Sequence, residues 1–335
     1  MKRICVLPGD GIGPEVIESA VSVLKSATDE LEFVFADIGQ VAHAMTGSYL
    51  PGDTLQLMRS CDSSLFGAVT STEDPDYDPP VLRFRKELDL YANLRPVKTL
   101  VHVPNRAPID VVIVRENSEG MYTQNEVFDD VGVTTLRRVT RKGSERIVEF
   151  AIQYALANGR SRITCVHKSN VLRASDGLFV NTFRELMRTK GKGLHASEQF
   201  VDSAAMKLFT DPAVFDVIVT LNLYGDILSD VAAGVAGGLG FAPSGNIGPR
   251  HSVFEPAHGS APDISGKGIA NPTAAVLAGT MMLRHIGLPG PAERIERAVS
   301  EFYSSGHLTV DMGGRHGSKS FTEHVLRSLS AQPHR

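Results

Sequence analysis

The sequence predicts an α/β protein of two interwoven domains, and three observations support this prediction. Runs of β-type residues alternate with segments of helical periodicity along most of the chain, which is typical of layered α/β folds. A chain of 335 residues is long enough for about two domains. No stretch of disordered composition separates two halves, so we expect the chain to cross between the domains.

The predicted strands are short runs of apolar or β-branched residues, as found in buried sheets. They cover residues 3–7, 32–38, 64–70, 111–114, 161–166 and 215–220. In a further stretch, residues 133–140, β-branched residues recur in an alternating pattern, which predicts one arm of a hairpin.

The predicted helices show apolar residues at helical spacing. The first, residues 15–26, follows Pro14, and the most clearly amphipathic one, residues 144–158, ends at Asn158-Gly159, a common stop signal. The others cover residues 54–61, 81–88, 177–188, 203–209, 272–286, 292–304 and 320–330.

The composition excludes several classes of partner. The formal net charge is -4, so no basic surface for nucleic acid is expected. The three cysteines, Cys5, Cys61 and Cys165, lie far apart and predict a reduced, cytoplasmic setting. No apolar run is long enough to cross a bilayer. Small molecules are the expected partners.

Two aspartates one helical turn apart carry the strongest chemical signal. Asp226 and Asp230 follow a β-type run and a glycine, and at i and i+4 they share one helix face. Two carboxylates so close repel each other unless a cation lies between them, and oxygen ligands suit Mg²⁺ or Mn²⁺. The alternative is a solvated acidic face.

The first glycine cluster, Gly9-Asp10-Gly11-Ile12-Gly13, lies where a dinucleotide-binding turn would lie. Its pattern is G-x-G-x-G and not the G-x-G-x-x-G of the Rossmann fingerprint. A purely structural turn between strand and helix is therefore favoured over a Rossmann site.

Three arginines predict recognition of an anionic substrate. Arg115 ends an apolar strand, Arg95 lies between Leu94 and Pro96, and Arg85 lies on a predicted helix. A guanidinium group binds carboxylates through two parallel hydrogen bonds. Several such groups beside a divalent metal indicate a di- or tricarboxylate, although each arginine alone is more often a surface residue.

Two further residues are candidates for proton transfer. Tyr122 follows the loop after Arg115 and is either a core residue or an acid. Lys168 follows a predicted strand directly, where a base is a better explanation than a structural role.

The loop at residues 254–272 is dense in small and polar residues and favours a nucleotide site over a plain surface loop. Ser260, Asp263 and Asn271 offer polar contacts, whereas His258 and Ile264 offer faces for stacking.

Six motifs together resemble the β-decarboxylating dehydrogenases, which include 3-isopropylmalate, homoisocitrate, isocitrate and tartrate/malate dehydrogenases. The likeness covers essentially the whole chain. The motifs are PGDGIGPEV at residues 8–16, LRFRKELDLYANLRP at 82–96, VRENSEGMY at 114–122, HKSNVL at 167–172, NLYGDILSD at 222–230 and EPAHGSAPDISGKGIANP at 255–272.

The resemblance implies an isopropylmalate dehydrogenase-like fold, in which two domains share a large central mixed sheet, and not a Rossmann fold. Residues 1–97 and 238–335 would form a discontinuous, cofactor-binding domain. Residues 98–237 would form the second domain, with the metal ligands, the arm and the dimer interface. Members of this kind assemble as homodimers, or as dimers of dimers, with shared active sites.

The resemblance also assigns roles to single residues. Arg85, Arg95 and Arg115 would hold the carboxylates of a malate-type substrate. Asp226 and Asp230 would bind the metal together with Asp202 of the partner subunit, and the metal would act as a Lewis acid. Tyr122 would be the acid and Lys168 of the partner subunit the base.

The cofactor expected from the resemblance is NAD. An acidic residue after HGSAP, here Asp263, is similar to NAD-using members, whereas NADP-using members carry a Lys-Tyr pair where this chain has Asp263-Ile264. The residues expected at the cofactor are Ile12, His258, Gly259, Ser260, Ala261, Asp263, Ile264 and Asn271.

The substrate stays open between members of the family. Val81 and Leu82 before Arg85 suit an isopropyl group and favour 3-isopropylmalate, the substrate of leucine biosynthesis. VRENSEGMY is more similar to the isocitrate and homoisocitrate branches, and Arg83 offers a cation for an additional carboxylate. A non-catalytic regulatory paralogue would lack an acid, a base or a metal ligand, and this chain has them all.

Overall fold

A computed structural model describes residues 1–74 and 76–331 of the chain. The strands are β1 (Lys2–Gly9), β2 (Leu31–Phe35), β3 (Ser63–Ala68), β4 (Ala92–Lys98), β5 (Asp110–Glu116), β6 (Glu126–Phe128), β7 (Val133–Thr135), β8 (Arg162–His167), β9 (His195–Phe200), β10 (Val217–Thr220), β11 (Pro243–Ile247) and β12 (Ser252–Pro256).

The α-helices of the described residues alternate with these strands over most of the chain. They are α1 (Gly13–Ala27), α2 (Gln40–Thr46), α3 (Gly52–Ser60), α4 (Pro80–Glu87), α5 (Arg141–Ala157), α6 (Ser175–Lys190), α7 (Val201–Thr210), α8 (Asn222–Ala236), α9 (Thr273–His285), α10 (Pro289–Ser304) and α11 (Ser318–Ala331).

The strands confirm the predicted fold class. Ten of them form one large mixed sheet, and the remaining two, β6 and β7, form a separate antiparallel pair. Among the described helices, none combines the length and the apolarity that a bilayer-spanning helix requires.

Two compact units divide the chain. The first comprises Met1–Leu88, Gly237–Gly245 and the described residues from Pro249 onward, and the second comprises Asp89–Ala236 and Asn246–Gly248. The predicted domain limits at residues 97 and 238 stay a prediction. Strand β4 belongs to the second unit because it pairs with β5 along its whole length. Residues 332–335 of the predicted first domain lie outside the described residues.

The first unit is built on parallel strands. β1 pairs with β2 on one side and with β3 on the other, and β3 continues to β12. Ile4, Cys5, Val6 and Leu7 of β1 are completely buried, which matches the apolar run in the sequence. α1 and α9 pack on this part of the sheet.

In the second unit, β5 runs parallel to β10, followed by β8 and β9, whereas β4 is antiparallel to β5. An apolar cluster between these strands and helices α7 and α8 forms its core. Because β5 and β10 are parallel and in register, Arg115 and Thr220 lie side by side at their carboxyl ends.

Five of the described strands, β4, β6, β9, β11 and β12, were not predicted from the sequence. β9 carries polar residues at most positions, and in β4 the residues Asn93, Arg95 and Lys98 interrupt the apolar ones, so neither shows the apolar run of a buried strand. Residues 254–256, predicted as loop, end strand β12 instead, since Val253 and Phe254 pair with β3.

Candidate active site

Helix α8 carries the two predicted metal ligands on one face. The helix begins at Asn222, directly after β10, and places Asp226 and Asp230 one turn apart. Arg95 Nη1 lies 3.3 Å from Asp226 Oδ1 and 3.7 Å from Asp230 Oδ1. One guanidinium nitrogen therefore faces both carboxylates, so the two side chains converge on a common point.

Arg115 is held against the same helix. Its side chain is only 1% exposed, and Nη1 lies 2.5 Å from Asp226 Oδ1. Nε and Nη2 both donate to Asn222 Oδ1, at 3.2 and 2.8 Å. Because an unpaired buried charge is costly, these acceptors define where the guanidinium group can lie.

Gly225 makes this approach possible. A Cβ atom at Gly225 would lie 2.6 Å from Arg115 Cγ and 2.7 Å from Arg115 Cβ. Only glycine lets the first turn of α8 pack directly on the stem of the arginine.

Arg95 is fixed by neighbours on its own strand and on α8. Its Nε donates to Asn93 Oδ1 at 2.7 Å, and its Nη1 donates to Ser229 Oγ at 2.6 Å. All three side chains are buried. Arg95 is thus oriented before any ligand binds.

Sequence analysis did not select Asn93, Asn222, Gly225 or Ser229. The two residues on α8 that hydrogen-bond the arginines, Asn222 and Ser229, lie four residues before and three after Asp226, so they share its helix face. That spacing is a signal that the sequence contains. Asn93 lies two residues before Arg95, so the two side chains share one face of β4, but this signal depends on recognising the strand.

Tyr122 lies beside the arginines, on a short 3-10 turn at Met121–Thr123. Its hydroxyl donates to Asp226 Oδ2, and Arg115 Cζ lies 5.0 Å from its ring centroid. Burial is the main cause that raises the pKa of Tyr122 above its usual value, and the hydrogen bond to the Asp226 carboxylate is the second. The phenol therefore stays protonated around neutral pH, which suits an acid.

Glu116 shapes the loop between Arg115 and Tyr122, a role that sequence analysis missed. Its carboxylate is buried and accepts hydrogen bonds from the Ser118 N–H and hydroxyl, both at 2.6 Å, and from the Glu119 N–H at 3.0 Å. Burial raises the pKa of Glu116. The loop folds around its own carboxylate and sets the path from strand to tyrosine.

The donor set on α8 fits a hard divalent cation. Asp226 and Asp230 supply oxygen atoms only, and the Asp230 side chain is 58% exposed. Burial, opposed by Arg95, raises the pKa of Asp230, and the neighbouring Asp226 charge raises it further. Within residues 1–74 and 76–331, no three His, Cys, Asp or Glu side chains of one chain gather as a metal site.

Lys168 and Asp202 form a separate pair in the same unit. Lys168 follows β8, Asp202 lies in the first turn of α7, and the ammonium group donates to Asp202 Oδ1. This hydrogen bond lowers the pKa of Asp202. The chain therefore pairs the predicted base with the predicted third metal ligand.

Arg85 lies in the first unit on helix α4. It is buried, its Nη2 lies 3.1 Å from Glu255 Oε1, and its Nε has no hydrogen-bond partner among the described residues. A buried guanidinium N–H without a partner is suited to an anionic ligand. Val81 and Leu82 are half-buried on the same helix, one turn before Arg85.

Arg83 points to acceptors within the same unit. Its Nη1 lies 3.2 Å from the Leu50 carbonyl oxygen and 3.4 Å from Asp78 Oδ2. Both side chains of this ion pair are substantially exposed, so the pair contributes little to stability.

The glycine turn and the predicted nucleotide loop are bound to each other in the first unit. The Ile12 N–H donates to the Ser260 carbonyl oxygen at 2.8 Å, and the Ser265 hydroxyl donates to the Gly11 carbonyl oxygen at 2.9 Å. Gly11 has φ +58°, and a Cβ there would lie 2.0 Å from the Ser260 carbonyl oxygen. The turn is thus a support for the loop.

Two residues that sequence analysis missed anchor the same loop. The Thr70 hydroxyl donates to Ser260 Oγ at 2.7 Å, and Glu15 Oε1 accepts the Ala270 N–H at 3.1 Å. Since Ser260 is buried, its hydroxyl is oriented by Thr70.

His258, Gly259, Ser260 and Ala261 follow one another along this loop. His258 Nδ1 lies 2.9 Å from the Gly259 carbonyl oxygen, and its buried Nε2 has no partner among the described residues. Burial lowers the pKa of His258, so its ring is neutral around pH 7. A neutral imidazole with one open nitrogen fits a neutral heteroaromatic ligand such as a nucleotide base.

The remaining predicted cofactor residues lie further along the loop. Asp263 is exposed on a 3-10 turn, Pro262–Ile264, next to the half-buried Ile264. Asn271 is buried, and its amide donates to Asp311 Oδ2 at 3.1 Å.

Comparisons with known proteins point to one family. Residues 3–325 match the family model described as isocitrate/isopropylmalate dehydrogenase. The chain is 45% identical over 329 residues to 3-isopropylmalate dehydrogenase of Methanothermobacter thermautotrophicus, which covers 98% of each chain. It is also 45% identical over 332 residues to isocitrate/homoisocitrate dehydrogenase of Thermus thermophilus, covering 98% of this chain and 99% of the relative.

A solved structure is similar along almost its whole length. The crystal structure of isocitrate dehydrogenase from Methylococcus capsulatus superposes with a TM-score of 0.94 at 39% identity. The match covers 98% of this chain and 99% of that chain.

The packing of Gly225 on Arg115 predicts a difference between two glycines of α8. Gly225→Ala should lower the free energy of unfolding by roughly 1–3 kcal/mol, as overpacking against a buried side chain does. Gly234→Ala on the same helix meets nothing within 4 Å, so it should be neutral or stabilise by up to about 1 kcal/mol. Urea denaturation of both variants measures the difference, and equal effects would contradict the proposed close packing.

Proposed function

Because the chain belongs to the isocitrate/isopropylmalate dehydrogenase family, we propose that it catalyses the NAD-dependent oxidative decarboxylation of a 3-substituted malate. One observation carries the proposal. Two buried arginines, Arg95 and Arg115, converge on the α8 carboxylates beside the protonated Tyr122. This arrangement combines recognition of a carboxylate, a cation site and an acid.

The charges around α8 support joint binding of a divalent cation and a dicarboxylate. The positive charges of Arg95 and Arg115 are balanced by the negative charges of Asp226 and Asp230. A divalent cation alone would leave two positive charges in excess, and a malate dianion balances them. We therefore expect Mg²⁺ or Mn²⁺ to bind more tightly when substrate is present.

The residues of this chain would divide the chemistry among them. Asp226 and Asp230 would hold the divalent ion, which when bound supplies Lewis acidity towards the substrate oxygens. Lys168 of the partner subunit, as its neutral amine, would take the hydroxyl proton, and NAD when bound would supply the acceptor for the hydride of the same carbon. After CO₂ leaves, Tyr122 delivers its phenol proton to the carbon that carried the lost carboxylate.

Tyr122 is prepared for this role by its neighbours. Asp226 accepts its hydroxyl hydrogen bond, which orients the proton and favours the neutral phenol. The positive charge of Arg115 next to the ring opposes that effect and would stabilise the phenolate left after proton transfer.

NAD is proposed as the cofactor because of Asp263. An exposed carboxylate on the turn after His258–Ala261 can accept hydrogen bonds from ribose hydroxyls, whereas it would repel a 2′-phosphate. Ile264 provides no cation or hydroxyl that would attract that phosphate. His258 and Asn271 are proposed to contact the adenine end, and Ile12, Gly259, Ser260 and Ala261 to line the same site.

We propose 3-isopropylmalate as the substrate, with homoisocitrate or isocitrate as the alternative. Relatives of equal identity carry both kinds of name. Val81 and Leu82 favour the apolar isopropyl group, whose burial would gain roughly 1.5–3 kcal/mol. Arg83, the cation that a further carboxylate would need, contacts Leu50 and Asp78 instead.

Self-association is proposed because Lys168 and Asp202 are assigned to the partner's site. The helix that carries Asp202, α7, exposes Met206 and Phe209, and α8 exposes Ile227. The β6–β7 hairpin exposes Phe128. Apolar side chains exposed in this number are typical of an interface, and a homodimer or dimer of dimers would bury them.

A substrate panel tests the proposed activity. The purified enzyme is assayed with NAD and Mn²⁺ on isopropylmalate, homoisocitrate, isocitrate, malate and tartrate. We expect kcat/KM to be highest for isopropylmalate, lower for homoisocitrate and lower again for isocitrate. EDTA should abolish turnover. Leu82→Arg should lower kcat/KM for isopropylmalate and raise it for homoisocitrate, whereas Leu82→Met keeps the volume and the preference. Wild-type preference for either tricarboxylate would refute the apolar-pocket proposal.

Cofactor choice is tested at residues 263 and 264. The double variant Asp263→Lys, Ile264→Tyr should move the ratio of kcat/KM values towards NADP, since an attraction replaces a repulsion. Asp263→Asn is the matched control, because it removes the charge without adding a cation and should relax the preference without reversing it. A wild-type enzyme that prefers NADP is incompatible with the role given to Asp263.

Shared sites are tested by subunit complementation. Tyr122→Phe and Lys168→Met should each lower turnover by about 10²–10⁴-fold, the usual contribution of an acid or a base. A heterodimer of the two variants contains one site with both native residues if Lys168 comes from the partner, so it should regain part of the activity. Verified heterodimers without any recovery would place both residues of a site in one chain.

A further inference from the structure

A completely buried carboxylate lies behind the turn that carries Lys168. Asp176, in the first turn of α6, is 0% exposed. Its Oδ1 accepts a hydrogen bond from Arg137 Nη1 at 2.6 Å, and its Oδ2 accepts one from the backbone N–H of Lys168 at 2.7 Å. An ionised carboxylate at such depth depends on these donors, because an unpaired buried charge is strongly unfavourable.

Tyr224 completes the surroundings of this carboxylate. Arg137 Cζ lies 5.2 Å from the Tyr224 ring centroid, so the guanidinium group contacts both this ring and the Asp176 carboxylate. Burial, and next the negative charge of Asp176, raise the pKa of Tyr224 to about 12. Arg137, Tyr224 and the Lys168 N–H thus enclose Asp176, and we call these four groups the Asp176 network.

The Asp176 network acts on a turn that is also fixed from its other side. The Lys168 carbonyl oxygen accepts hydrogen bonds from the N–H groups of Val171 and Leu172, at 3.0 and 2.9 Å. The backbone N–H and the backbone carbonyl group of Lys168 are therefore both held. Since a lysine side chain is long and flexible, the position of its backbone limits the region that its side-chain nitrogen can reach.

The same network reaches the carboxylate helix. Tyr224 belongs to α8 and precedes Asp226 by two residues. The buried charge is thus hydrogen-bonded to the turn of the proposed base, and through Arg137 it is linked to the first turn of the helix that carries the proposed cation ligands.

We propose that Asp176 is a positioning residue for Lys168, which it holds through the backbone N–H with Arg137 and Tyr224 as counter-groups. The inference rests on the proposed function, in which Lys168 takes the hydroxyl proton of the substrate. Asp176 neither gains nor loses a proton in that step, and its effect is confined to where the side-chain nitrogen of Lys168 lies.

The test compares Asp176→Asn with a matched control at the other end of the same strand. Asp216 also accepts hydrogen bonds from an arginine, Arg160 at 3.0 Å, and from two backbone N–H groups, those of Ser161 and Arg162 at 2.7 and 3.1 Å. These contacts lie at the start of β8, away from Lys168. Asp216→Asn therefore removes a comparable charge without touching the Lys168 turn.

We expect Asp176→Asn to lower kcat by ~10²-fold, the effect of misplacing a reacting group by about 1 Å. KM should change little, and the deuterium isotope effect with substrate labelled at the hydroxyl-bearing carbon should increase, because hydride transfer becomes rate-limiting. Asp216→Asn should keep kcat and the isotope effect of the wild type, although both variants lower the melting temperature.

Arg137→Lys is the second variant, used should Asp176→Asn fail to fold. It keeps the positive charge beside Asp176 and changes only the geometry of the hydrogen bond to the carboxylate, so kcat should fall by a smaller factor with the same rise in isotope effect. An active wild type combined with unchanged kcat in the folded Asp176→Asn variant, or in Arg137→Lys where the first is unfolded, overturns the inference alone. A wild type that is inactive on every malate of the panel overturns the proposed function and this inference with it.

Discussion

The burial of the Arg115 guanidinium group beside helix α8 is the constraint on which the rest of the candidate site depends. A charge that is only 1% exposed must have acceptors at fixed places. They are Asn222 and Asp226, both on the first turns of α8. The parallel pairing of β5 with β10 brings the arginine to the start of this helix. The register of β5 with β10, the start of α8 and the geometry of the candidate site therefore depend on one another.

Other features of the second unit follow from that constraint. Gly225 lacks a side chain where the stem of Arg115 passes, and Tyr122 lies over the same guanidinium group with its hydroxyl on Asp226. Asp226 is thus shared between Arg115 and Tyr122, the proposed acid. A cation bound there would compete for the same carboxylate, so binding of the cation and release of the Tyr122 proton would be coupled.

In the first unit, the main structural feature is the support of the long loop at residues 254–272, which has few apolar residues. The glycine turn at residues 9–13 bonds to this loop through backbone groups, and Thr70 and Glu15 bond to it through side chains. This role agrees with the sequence-based preference for a structural turn over a Rossmann site. These contacts hold the loop to the glycine turn, while Asp263 stays exposed and the buried Nε2 of His258 has no partner among the described residues.

The sequence by itself determined the fold class and the chemical nature of the residues at the site. Alternating patterns predicted the α/β layers, because hydrophobic periodicity is a local property of each strand and helix. The spacing of Asp226 and Asp230 predicted a shared helix face for the same reason. The family resemblance supplied the expected roles of Arg85, Arg95, Arg115, Tyr122 and Lys168.

Only the tertiary structure decided which groups support those residues. Thr70 and Asp176 act through partners on distant parts of the chain, and their sequence neighbourhoods carry no mark of those contacts. Asn93 and Glu116 bond to residues two or three positions away, but the sequence did not show the strand and the loop that turn these neighbours towards one another. In β4, Asn93 and Arg95 interrupt the apolar residues, so the sequence showed no apolar run, although the strand is largely buried in the sheet. The physical reason is that a buried polar group is stabilised by specific acceptors at particular distances, and such distances arise only when distant parts of the chain have been packed together.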